Sequence, residues 1–317
     1  MKRPLLITLT TFLLALTQNG LAQAQTAKPT IFVCGDSTSK YNGNETMANL
    51  TMLRGKSMAG WGTPIAQFFD PDKVTVKNVG HAGTSSLTYY TNGDWARVLP
   101  QIQPGDYVLI VFGINDGSTP NGIGDEVVER ARRGGRTPAR GQESPGATQP
   151  APQMESVHTY GWYMSKMATD AREKGAHPYF LTVTTRNIWT NPKAQFRDAT
   201  PTAPLPDDYD PKQDKIERGT AGGKYTQWTK EVGAKLHVPV FDLTNYCADL
   251  YEKMGREEVN KMYSDHNHTY LEGATTVARA IVSGLKAFKD SPFVPMLSEK
   301  GKEVPPADAK YVSDNAH

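Results

Sequence analysis

The chain has 317 residues, of which 38% are hydrophobic and 21% charged, with a formal net charge of +2 and two cysteines. This length is enough for one large core. The near-neutral charge recommends neither nucleic acid nor an anionic membrane as a partner, and two cysteines are too few for a disulfide-stapled scaffold.

In chain order, Met1-Lys2-Arg3 precedes an apolar stretch that ends at Leu16, followed by the small residues Ala22 and Ala24. A basic start, an apolar stretch and small residues two apart read as a secretory signal peptide over 1–24. Thr17-Gln18-Asn19 interrupts the stretch before it reaches the ~20 residues a membrane span needs. The product is therefore expected to be secreted or periplasmic, with one domain over 25–290 and a surface tail over 291–317.

The run Thr30-Ile31-Phe32-Val33-Cys34 predicts a buried strand. Cys34 inside it is expected as a small buried hydrophobe rather than as a bridge to Cys247. Residues 57–69 place Met58, Trp61, Ile65 and Phe68 at helical spacing, and 74–79 alternate apolar and polar side chains as a second strand. The continuous apolar run over 107–112 suits a central parallel strand. A helix follows over 157–174, then a strand over 179–183, a helix over 228–236, a strand over 238–241 and a helix over 271–288. This alternation predicts an α/β fold: a single doubly wound three-layer sandwich on a mostly parallel five-stranded sheet.

Two stretches interrupt the rhythm. Residues 117–156 combine Arg130, Arg132, Arg133 and Arg136 with many Gly and Pro, and 191–220 contain five prolines. Both are expected to be long excursions of low regular structure that form the rim of a groove for an extended polymer.

Ser37 falls just beyond the first strand, where open α/β sheets place their ligands. A serine hydroxyl becomes a nucleophile when an imidazole removes its proton, and the imidazole works best when a carboxylate fixes its tautomer. Ser264-Asp265-His266-Asn267-His268 offers such a pair: Asp265 and His268, three apart, can meet through one turn of backbone, with His266 as the competing base. Asn115 after the third strand and Gly83 after the second can supply amide donors for an oxyanion, with the Ser37 N–H as a third. Singly, each has a bland reading: Ser37 as a helix cap, Gly83 as a bend, Asn115-Asp116 as a turn. Asp36 is expected to bond its own turn. Gly55-Lys56-Ser57 lacks the upstream glycine of a phosphate loop, because Leu50 stands there, and no G-x-S-x-G elbow exists.

Taken together, Gly35-Asp36-Ser37-Thr38, the segment 78–89 with Ala82-Gly83, Phe112-Gly113-Ile114-Asn115-Asp116 and Asp265-His266-Asn267-His268-Thr269 resemble the ordered blocks of SGNH or GDSL-type hydrolases. Within these, the chain is similar to the rhamnogalacturonan acetylesterase-like carbohydrate esterases. Tyr160-Gly161-Trp162-Tyr163 and Thr185-Arg186-Asn187-Ile188-Trp189 extend the likeness over about residues 29–288. It departs at Ile114, where a His is usual, and in the insertion at 117–156.

The resemblance implies a flavodoxin-like SGNH hydrolase fold, with Ser37 as nucleophile, His268 as base, Asp265 as acid, and Ser37, Gly83 and Asn115 at the oxyanion. It implies no cofactor and no metal. The expected partner is an acetylated polysaccharide or oligosaccharide, rhamnogalacturonan before xylan, with a short-chain lipase or thioesterase and a noncatalytic carbohydrate-binding protein as alternatives. Trp61, Trp95 and Trp189 are candidates for sugar stacking or for the core. Trp189, beside the second excursion, is assigned to substrate.

Overall fold

The computed structural model describes residues 28–131, 154–197 and 200–315. The signal peptide expected over 1–24 lies outside the described residues, as do Arg132, Arg133 and Arg136.

Six strands form the main sheet: β1 (Thr30–Gly35), β2 (Thr75–Asn78), β3 (Tyr107–Val111), β4 (His177–Leu181), β5 (Val240–Phe241) and β6 (Val312–Ser313). Their order is β6-β5-β4-β3-β1-β2. The first five strands run parallel, and β6 pairs antiparallel to β5. The helices are α1 (Ser86–Thr91), α2 (Asp94–Val98), α3 (Tyr160–Glu173), α4 (Lys224–Leu236), α5 (Leu243–Met254), α6 (Arg256–Met262) and α7 (Leu271–Ala287). Every second residue of β1 points to the same face, so Ile31 and Val33 join the core under α5, α6 and α7 while Phe32 and Cys34 join that under α1 to α4. Both faces are covered, which is why β1 and β3 read as unbroken apolar runs.

The expected α/β sandwich is present, with a sixth strand that is only two residues long. Cys34 and Cys247 are free and buried, one in each core cluster. Burial pushes the Cys34 thiol up to about 12, against a hydrogen bond with Tyr89 that lowers it.

Several local expectations need correction. The helix read over 57–69 is a short strand, Lys56–Met58, followed by turns and a 3-10 helix, Pro64–Phe68. Gly60 lies so close to the Ser39 backbone that a Cβ would come within 2.3 Å of it, and Pro64 can only open a helix, so one continuous α-helix cannot form. Met58, Trp61, Ile65 and Phe68 are nonetheless all buried.

The insertion at 117–156 is not wholly irregular: Val127–Ala131 pairs antiparallel with Met154–His158. The stretch over 191–220 is not a loose excursion either. Ile188–Asn191, Ala194–Arg197, Thr200–Pro201 and Lys215–Ile216 build a small antiparallel sheet that buries Phe196 and Ile216. The surface tail expected over 291–317 instead buries Phe293, Leu297 and Val304 and contributes β6.

Candidate active site

The sheet order 2-1-3-4-5 turns around between β1 and β3, and a doubly wound sheet opens a crevice at that switch point. Ser37 leaves the end of β1, Gly83 follows β2 and Asn115 follows β3, so three adjacent strands deliver these residues to one edge.

Asp265 and His268 come from the opposite side, on the loop between α6 and α7. That loop is closed on itself by Ser264 N–H to His268 O at 2.9 Å and by Tyr270 N–H to Met262 O at 2.9 Å. It is also stitched to its surroundings. Thr269 makes two bonds with Ala59, its side-chain Oγ1 donating to Ala59 O at 2.8 Å and its carbonyl accepting from Ala59 N–H at 3.2 Å. His266 O accepts from Asn187 N–H at 2.9 Å.

The structure brings Ser37, His268 and Asp265 into a chain of contacts. His268 Nε2 lies 2.9 Å from Ser37 Oγ, and His268 Nδ1 lies 2.8 Å from Asp265 Oδ2. Asp265 Oδ1 accepts the N–H groups of Asn267 and His268 at 2.7 and 2.8 Å. Burial raises the pKa of Asp265, but these bonds and the nearby His268 ring outweigh it and hold the carboxyl well below the usual range. A charged carboxylate only accepts, so Nδ1 carries the proton and Nε2 is left to accept from Ser37 Oγ. The edge of the Tyr41 ring meets His268, with centroids 5.3 Å apart at 79°.

Ser37 is nearly buried, at 7% exposure. Among the described residues, neither its N–H nor that of Gly83 donates to a protein acceptor. Gly83 has φ +77°, and a Cβ there would meet nothing within 4 Å, so the site needs its conformation rather than its small size. Gly113 differs: its φ is +133° and a Cβ would fall 2.4 Å from Val183 Cγ2, which excludes any side chain at that position, two residues before Asn115. The Asn115 side-chain amide donates to Thr84 O at 3.0 Å, leaving its second N–H available.

Two buried carboxylates brace these loops. Asp36 Oδ1 accepts Thr38 N–H and Thr38 Oγ1, both at 2.8 Å, as expected for a group that bonds its own turn. Asp116 Oδ1 accepts Ser86 N–H at 3.0 Å, Ser86 Oγ at 2.5 Å and Thr119 Oγ1 at 2.8 Å, joining the Asn115 turn to the start of α1. Burial pushes each carboxyl up to about 6 despite these bonds. Asp265 also accepts about as many bonds, so the opposite directions follow from how deeply each group is desolvated.

Glu45 was not singled out in the sequence. It is buried and accepts Tyr41 N–H at 2.6 Å and Gly60 N–H at 2.9 Å, which holds Tyr41 against His268. No motif marks it, because its partners are backbone groups 4 and 15 residues away.

Trp189 does not stand in the cleft. It is 1% exposed, packed in the core, with Nε1 donating to Asn187 Oδ1 at 2.8 Å. Trp61 and Trp95 are equally buried. The alternating strand that carries Trp189 sends it inward against Ile216 and Phe196, so the substrate assignment is withdrawn.

The chain is similar to rhamnogalacturonan acetylesterase RhgT of Bacillus subtilis (strain 168), 26% identical over 265 residues that cover 78% of this chain and 88% of that protein. It is likewise similar to a rhamnogalacturonan acetylesterase of Emericella nidulans, 27% identical over 282 residues, covering 86% of this chain and 90% of that one. The crystal structure of protein YxiM from Bacillus subtilis shares the fold with a TM-score of 0.54 at 19% identity. That match covers 82% of this chain, which spans 56% of the YxiM chain. Residues 33–298, from within β1 to beyond α7, match the GDSL-like lipase/acylhydrolase family, and the chain belongs to that family of hydrolases.

Proposed function

We propose that this protein is an exported serine esterase that removes acetyl groups from plant cell-wall polysaccharide, with rhamnogalacturonan as the first substrate. The observation that carries the reading is the run of two hydrogen bonds from Ser37 through His268 to Asp265, at 2.9 and 2.8 Å. The two acetylesterase relatives support the choice of polymer, and the basic and apolar segment over 1–24 supports export.

In this mechanism His268 Nε2 takes the Ser37 proton as Oγ attacks the ester carbonyl, and Asp265 steadies the imidazolium that forms. The oxyanion is held by the N–H groups of Ser37 and Gly83 and the free N–H of Asn115. The imidazolium returns its proton to the sugar oxygen as the C–O bond breaks, leaving acetyl-Ser37 and a free sugar hydroxyl. Water then attacks with His268 again as base, and acetate departs with Ser37 restored.

The test is acetate release by the purified protein from acetylated rhamnogalacturonan, acetylated xylan and short and long aryl esters, with Ser37→Ala as the blank. Release from rhamnogalacturonan is expected. Release from xylan alone, or from long-chain esters alone, would reassign the substrate while leaving the reaction in place.

A further inference from the structure

Beside the triad, the loop that carries Asp265 forms one wall of a cavity of about 260 Å³. Its rim holds three cations: Arg54 and Lys56, from the antiparallel pair Thr51–Leu53 and Lys56–Met58, and Lys261 at the end of α6. This pair is fastened to the catalytic loop through a bridge between Met58 and Tyr270.

The charge in the cavity is not balanced. Lys261 pairs with Glu258 at 2.5 Å, whereas Arg54 and Lys56 have no carboxylate within ion-pair distance among the described residues. The carboxylate that does line the cavity, Asp265, is already taken by His268 and two backbone N–H groups. Arg54 reaches only Ser264 O at 3.4 Å, and Lys56 reaches Lys261 O at 3.0 Å and lies 4.9 Å over the Tyr270 ring. Three exposed cations around one cavity set up a positive potential there that favours an anion, most strongly at low salt.

We propose that this cavity is a subsite for the carboxylate of a uronic acid unit next to the acetylated sugar, bound by Arg54 and Lys56. The inference rests on the polysaccharide reading and narrows it to an acidic chain. A planar carboxylate suits the fork of Arg54, while Lys56 supplies a point charge. The space admits one sugar unit, and Asp265, which lines it, is joined to Ser37 through the His268 ring, so the cavity lies one ring's width from the serine. The competing role for the two cations is to tether the catalytic loop through the carbonyls of Ser264 and Lys261, which would give no preference for an acidic ligand.

The experiment is calorimetric binding, at low and high salt, of two acetyl-free rhamnogalacturonan oligosaccharides: one with its carboxylates intact and one with them reduced to alcohols. The unaltered protein should bind the acidic form roughly tenfold more tightly at low salt, and high salt should shrink the gap. The double substitution Arg54→Gln, Lys56→Gln should abolish the preference, and circular dichroism and melting temperature show whether its fold is retained. Single Lys56→Gln, which leaves Arg54 on its turn, should give an intermediate preference.

Equal affinity for the two forms, a preference that survives the double substitution in folded protein, or no binding of either form would overturn the subsite. Acetate release is measured in parallel. A preference for the acidic form without acetate release from the acetylated polymer would overturn the esterase reading and leave the subsite standing, and release without preference would do the reverse.

Discussion

The side-chain amide of Asn115 is bonded to the carbonyl of Thr84 at 3.0 Å, fastening the turn after β3 to the turn after β2 across the end of β1. The bond orients one N–H and leaves the other for the oxyanion of the proposed mechanism. Asn115→Ala should therefore lower kcat by roughly 100- to 1000-fold with little change in KM, since the donor acts on the transition state. Steady-state kinetics on an aryl acetate decides the matter, and an unchanged kcat would remove Asn115 from the oxyanion.

In the proposed mechanism Ser37 and His268 act on one proton, so their losses should not add. Ser37→Ala and His268→Ala should each cost at least about 10⁴-fold in kcat, and the double variant should be no worse than either alone. His266→Ala is the control, and a loss in that variant as large as in His268→Ala would transfer the role of base.

Asp265→Asn keeps an oxygen for the N–H groups of Asn267 and His268 but can turn an N–H toward His268 Nδ1, which stabilises the wrong tautomer. A fall in kcat of roughly 10⁴-fold with native circular dichroism is expected. Retention of most activity would mean that the loop alone orients the ring.

Asp116 should give stability a pH dependence. Its carboxyl is raised to about 6 by burial, above an unfolded value near 3.9, so in between the folded chain holds a proton that the unfolded chain has released. Its contribution makes stability highest below about pH 4 and erodes it as pH rises through about 6, by an amount on the order of 3 kcal/mol. Asp265 works in the opposite sense, stabilising above the unfolded value and losing that effect as pH falls through its low folded value. Asp116→Asn retains Oδ1 for Ser86 and Thr119, so melting temperature across pH 4–7 should decline less than in the unaltered protein. An identical decline would remove Asp116 as its source.

Burial of Trp189 predicts a structural cost and no substrate phenotype. Trp189→Ala should lose about 3–5 kcal/mol in urea unfolding, while KM for the polymer in the protein that remains folded should stay unchanged. A raised KM at unchanged stability would return Trp189 to the cleft.

The sequence made the parallel core legible because a strand buried on both faces must be apolar at every position, as Ile31 to Cys34 and Val108 to Phe112 are. The meeting of Ser37, Asp265 and His268 was legible for a different reason: each stands where a strand ends or a helix begins, and the three-residue spacing of Asp265 and His268 permits their contact without knowledge of the fold. What stayed hidden has too few residues to carry a period. Val312–Ser313 and Lys215–Ile216 are two-residue strands defined by their neighbours. Phe293 and Leu297 fall in a five-residue apolar stretch broken by Pro295, Val304 stands between Glu303 and Pro305, and only their tertiary partners reveal that they are core. Trp189 carried no local mark to separate core from cleft, since both uses favour a large aromatic beside a loop.

The stitching of the α6–α7 loop to Ala59 and Asn187 has a mechanical consequence. His268 and Asp265 are held as one piece, so no small motion can part them without unpicking that loop. Its side-chain link to Ser37 itself is a single hydrogen bond, from Ser37 Oγ to His268 Nε2. In the proposed mechanism, lengthening that one bond would leave the imidazole and its carboxylate correctly paired yet without a proton to take.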